Sequence, residues 1–94
     1  MDPIDIQIQQ LQLQIQYAQM NIANINQQIY WANWNLQQPG INKDQINFYN
    51  AQIQNYNDQI NFYVDQISSI QAQIQTLQSQ TSIIQTITDD AAKL

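Results

Sequence analysis

Beginning at Ile4, the residues Ile8, Leu11, Ile15, Ala18, Ile22, Ile25, Ile29, Ala32 and Leu36 follow one another by strictly alternating steps of four and three. No β-strand keeps that rhythm. It is the seven-residue period of a helix with one apolar seam, and it settles how the stretch IDIQIQQLQLQIQ, Ile4 to Gln16, is read. Apolar and polar residues alternate there as they would in a half-buried or amyloid-forming strand. A hairpin of strands would need a turn at Gln9-Gln10, which offers no Gly, Asn or Asp. The stretch is therefore helix, and Ile6 and Leu13 need a reason of their own.

A second helix follows the first. From Ile46 onward the chain divides into the heptads INFYNAQ, IQNYNDQ, INFYVDQ, ISSIQAQ, IQTLQSQ, TSIIQTI and TDDAAKL, with Ile and then Thr81 and Thr88 at the first core position. The second core position holds Tyr49, Tyr56, Tyr63, Ile70, Leu77, Ile84 and Ala91. Asp2-Pro3 has the form of an N-cap followed by proline at the first helical position, and Pro39-Gly40 interrupts the pattern with a turn. Asn42, three residues ahead of Gln45, has the form of a capping box that restarts a helix. The expectation is an all-α fold. One domain, 1–94, forms an antiparallel helical hairpin of the coiled-coil type, with helices over about 3–37 and 43–92 and a tight turn at 38–41.

Folding at Pro39 predicts a register in which every core residue meets another. Ile8 faces Ile70, Leu11 faces Ile67, Ile15 faces Tyr63, Ala18 faces Ile60, Ile22 faces Tyr56, Ile25 faces Ile53, Ile29 faces Tyr49 and Ala32 faces Ile46. Ile4 then meets Ile74, leaving about 20 residues, roughly 30 Å of helix, without an intramolecular partner. Leu77, Ile83, Ile84, Ile87 and Leu94 lie on this overhang. The pattern drifts near Ile83 and Ile87, which predicts that the last two heptads change partners or fray.

Ile6 and Leu13 find their explanation in a second apolar stripe. With Met20 and Trp34 they lie seven or fourteen residues apart, joined by Tyr17 and Trp31, roughly opposite the seam. A helix apolar on two sides is buried on two sides. The outermost positions of the second helix are instead Asp44, Ala51, Asp58, Asp65, Ala72, Ser79 and Thr86, which reads as a solvent face. The first helix is thus expected inside and the second outside a homo-oligomer, with a trimer of hairpins favoured over a dimer. The aromatics near the turn, Tyr30, Trp31, Trp34, Phe48 and Tyr49, with Phe62 and Tyr63 farther along, could bind a glycan, a ring-bearing ligand or a partner protein, although aromatics at helical spacing more often serve packing, within the seam at Tyr49 and Tyr63 and between hairpins elsewhere. Trp31, Trp34, Phe48 and Phe62 lie off the seam, and docking to a partner is the favoured reading for them.

The chain has no Glu, Arg, His or Cys; its acids are all Asp, its bases are Lys43 and Lys93, and over a third of its residues are Gln or Asn. Little remains for acid-base or nucleophilic chemistry, so no enzymatic activity, no metal and no cofactor are expected. A net charge of -5 with two lysines leaves no basic footprint for nucleic acid or an anionic membrane. MDPID has no basic segment leading into an apolar run, and no apolar stretch approaches a membrane span, so neither a signal peptide nor a transmembrane segment is expected.

In its heptad repeat and its amide-rich composition the chain resembles the helical fibre, neck and baseplate proteins of tailed bacteriophages. Their coiled coils often carry Asn, Gln, Thr and Ser where cellular ones carry Glu and Lys. The resemblance spans the whole chain and assigns no functional residue. It implies a structural virion component, assembled in the host cytoplasm and freed by lysis, that oligomerises and docks to a larger virion protein. A surface of neutral amides independently suits exposure to variable salt. The rival expectation is a cytoplasmic assembly chaperone or adaptor that binds a partner helix.

Overall fold

The computed structural model describes residues 2–93, and these form two α-helices: α1, Pro3–Leu36, and α2, Lys43–Ala92. Both starts are fixed by side chains. The Ile4 amide donates to Asp2 Oδ1 at 2.9 Å ahead of Pro3, and Asp5 lies in the first turn, where negative charge suits the helix end. At α2 the Gln45 amide donates to Asn42 Oδ1 at 2.8 Å while the Asn42 amide donates to Gln45 Oε1 at 3.0 Å, a reciprocal capping box. Gly40 takes φ +81°, a conformation that a side chain disfavours, so the chain reverses where the sequence placed its turn. The reversal spans residues 37–42, one residue longer at either end than expected. No strand occurs among the described residues.

The helices pack against each other in an elongated hairpin of 81 × 18 × 15 Å. Its core is a single row: Ala18, Ile25, Ala32, Ile70 and Ile74 are buried, and Ile8, Leu11, Ile15, Ile22, Ile29, Tyr49, Ile53, Tyr56, Ile60, Tyr63 and Ile67 are half-buried. A two-helix object has no second layer to close over that row. Thr81, half-buried in the row, leaves no orphaned hydroxyl because its Oγ1 donates to the Leu77 carbonyl at 3.2 Å.

The register differs from the expected one by a heptad. Ile46, assigned to the seam opposite Ala32, is 37% exposed, whereas Leu77 and Thr81, assigned to the overhang, are half-buried. Leu77 also lines a groove with Gln7, Leu11 and Gln14. These observations fit the pairing Ile8 with Leu77, Leu11 with Ile74, Ile15 with Ile70, Ala18 with Ile67, Ile22 with Tyr63 and Leu36 with Tyr49. Ile4 then stands level with Thr81. The physical reason lies in the turn: Gln37 to Gly40 carry the chain beyond the end of α1 before it reverses, so the first turn of α2 overshoots its partner. A heptad repeat tolerates the shift because seven residues bring the same core positions together again.

The true overhang is consequently Ser82–Ala92, about 16 Å of helix. It continues as α-helix to Ala92, and Leu94, also assigned to it, lies outside the described residues.

Candidate interaction surface

In a helix with a seven-residue seam, every other position forms a column parallel to that seam. On α1 the column through Gln10 contains Tyr17, Asn24 and Trp31; on α2 the column through Thr76 contains Phe48, Asn55, Phe62, Ser69 and Ile83. Gln10 and Thr76 line the same groove, so both columns flank the same side of the hairpin. A second groove on that side is lined by Tyr17, Ala18 and Asn21 of α1 with Tyr63 and Gln66 of α2. Ile6, Leu13, Met20 and Trp34 form the adjacent column of α1, three residues on and about 60° around the helix.

The result is an exposed apolar surface in two stripes, one from each helix, divided by the amides Gln7, Gln14, Asn21 and Gln28 of α1 and the glutamines from Gln45 to Gln80 of α2. Its members, Ile6, Leu13, Tyr17, Met20, Trp31, Trp34, Phe48, Phe62 and Ile83, range from 42% exposed at Ile6 to 64% at Phe62. The surface is braced from beneath: Phe48 and Phe62 each meet the tyrosine that follows, edge-on, at 5.4 Å and 5.6 Å between ring centres. Trp31 and Trp34 meet at 6.1 Å in the same edge-on manner. With aromatic side chains offering about 150–250 Å² each, nine residues near half exposure leave on the order of 1,000 Å² of apolar surface in water.

The opposite flank carries Gln12, Gln19, Asn26 and Asn33 on α1 and Asn50, Asn57, Gln71 and Gln78 on α2, all exposed. Val64 and Tyr30 are its large apolar exceptions. Beside the column of Ile6, Leu13, Met20 and Trp34 on α1, α2 supplies Phe48, Phe62 and Ile83 to the exposed apolar surface. The signal was present in the sequence. Tyr17, Trp31, Phe48 and Phe62 all stand two residues after a first core position, and in an antiparallel pair equivalent positions share a flank.

Of the remaining predicted residues, Ile84 and Ile87 are exposed on the overhang, where Ser82, Ile83, Thr86 and Ile87 form a shallow groove. Asp58 and Asp65 stand two turns apart on the solvent side of α2, about 10 Å along the axis. Lys93 pairs with Asp90 at 3.9 Å in an exposed contact. Among the described residues no group of three His, Cys, Asp or Glu side chains could hold a metal ion. The surface offers apolar contact and amide hydrogen bonds, and that is its chemistry. Comparison of the chain with protein-family models, with curated proteins and with solved structures returns no match.

Proposed function

We propose that this chain is a structural coiled-coil subunit whose hairpins associate with further copies through the exposed apolar surface, three around an axis, and dock as a unit to a larger virion protein. The observation that carries the reading is that surface itself. Its nine members are each between 42% and 64% exposed, more than the seam of a two-helix hairpin can cover. Five of its nine members, Tyr17, Trp31, Trp34, Phe48 and Phe62, are aromatic, the residue type enriched at interface centres. A charge-poor amide flank on the other side supplies a surface whose solubility owes little to ionic strength, which suits a particle released into variable salt. Among the described residues no helix is long and apolar enough to cross a membrane.

Exchange of subunits between donor-labelled and acceptor-labelled oligomers tests the reading. A structural subunit retains its partners for hours after mixing. Complete exchange within seconds at micromolar concentration would instead identify a transient adaptor or assembly chaperone.

A further inference from the structure

No polar contact ties α1 to α2. Among the described residues every side-chain hydrogen bond joins groups no more than four residues apart along the chain, and the ion pair of Lys93 with Asp90 lies at the end of α2. No polar or charged side chain is buried among them. A coiled coil fixes its register with a polar residue in the core or with charges across the seam, and this seam has neither a buried amide nor a crossing ion pair. Its apolar layers also match twice. In the observed register Ala18 and Ala32 face Ile67 and Ile53, while Tyr49, Tyr56 and Tyr63 face Leu36, Ile29 and Ile22. One heptad away the same alanines face Ile60 and Ile46, and the same tyrosines face Ile29, Ile22 and Ile15. Alanine meets isoleucine and tyrosine meets a branched aliphatic in both. Only the ends differ. The observed register covers Leu77 and Thr81 and leaves Ile46 37% exposed; the other covers Ile46 against Ala32 and releases Leu77 and Thr81.

We infer that the hairpin is a two-position slide, in which α2 moves one heptad, about 10 Å, along α1 toward its own C-terminus. The turn permits both positions. With Leu36 level with Tyr49, Lys43 stands about 9 Å beyond the end of α1; after the slide Leu36 is level with Asn42 and the two helix ends lie side by side. Residues 37–42 reach up to about 20 Å, and crossing from one helix to the next takes about 8–10 Å, so neither position stretches the connection. Both helices keep their caps, and a shift of seven residues returns every column to its own flank. A second step covers no further core residue, because the seam of α2 begins at Ile46. The slide lengthens the unpaired end of α2 from Ser82–Ala92 to 75–92. A change of backbone torsions at the turn is thus delivered, about 50 Å away, as a longer free end.

The chain has no cysteine, so nitroxide labels on Asn33→Cys and Ala72→Cys, both exposed positions, report their separation without background. Diluting labelled chain about tenfold into unlabelled chain restricts pulsed dipolar spectroscopy to distances within one hairpin. The observed register places the labels about 30 Å apart along the axis, and the slid one about 40 Å. Leu77→Ser removes the apolar contact that favours the observed register and should raise the population of the longer distance about tenfold. Leu77→Ala, a milder change, should act in the same direction, and adding Ile46→Ser to either should return the population to that of the unsubstituted chain. The peak near 30 Å reports in each sample that the hairpin has folded. A single distance near 30 Å in both Leu77 variants overturns the slide. A longer distance that survives Ile46→Ser overturns it as well, since that distance would owe nothing to the second set of contacts.

Discussion

The two flanks of this hairpin share one backbone and one seam, yet they solve opposite problems. One is almost uniformly Gln and Asn; the other carries nine large apolar side chains at the same helical spacing. Folding does not require the difference, since a two-helix seam is satisfied equally by either flank. Side chains such as Trp31, Phe48 and Phe62 gain nothing from the hairpin by standing half-exposed, and each contributes to the tendency of the chain to associate. On the proposed function the seam makes the hairpin and the exposed apolar residues make the assembly, so substitutions should separate the two.

The largest separation is expected from charge placed on either flank. Met20→Asp combined with Phe62→Asp buries unpaired carboxylates in the proposed interface and should weaken association by about a thousandfold or more while the helical circular dichroism is retained. Gln19→Asp with Asn57→Asp makes the same change in charge on the amide flank and should leave the sedimenting mass unaltered. Equal effects from both pairs would erase the distinction between the flanks.

The seam is sharpened by a second pair. Ile70 is 4% exposed, so Ile70→Ala should cost about 2–5 kcal/mol in urea unfolding. Ile84, more than half exposed, occupies the equivalent core position beyond α1; at dilutions where the chain is monomeric, Ile84→Ala should change stability by less than about 0.5 kcal/mol. Asn42→Ala removes the capping box that starts α2 and should cost about 1 kcal/mol, read as a lower thermal midpoint with the oligomeric mass preserved. Smallest of all is the effect of salt. With amides on one flank and apolar residues on the other, raising NaCl from about 0.05 M to 1 M should scarcely weaken association, because little of it depends on screened charge.

Much of this architecture could be read from the residues. The alternating steps from Ile4 to Leu36 determine a helix, Asp2-Pro3 and Asn42 with Gln45 mark its start and that of its partner, and Pro39-Gly40 marks the reversal. The register could not be read, for a physical reason: a seven-residue repeat has a low-energy pairing at every heptad, and the choice falls to the path of Gln37 to Ile41 through the turn. That path depends on a few backbone torsions that composition does not encode. The shift it imposes moves Leu77 and Thr81 into the hairpin, shortens the overhang to Ser82–Ala92 and frees Ile46. The candidate surface was legible residue by residue, from Ile6 to Ile87, but not as a flank. That the stripes of α1 and α2 fall on the same side depends on how the two helices face each other, which the grooves through Gln10 with Thr76 and Tyr17 with Tyr63 make visible.

Sedimentation equilibrium of the unsubstituted chain at micromolar concentration bears most directly on the proposition that this apolar flank is covered by other copies. The account predicts a discrete particle of three times the 11.0 kDa chain mass, unchanged between low and high salt. A single species of 11.0 kDa under those conditions would contradict it.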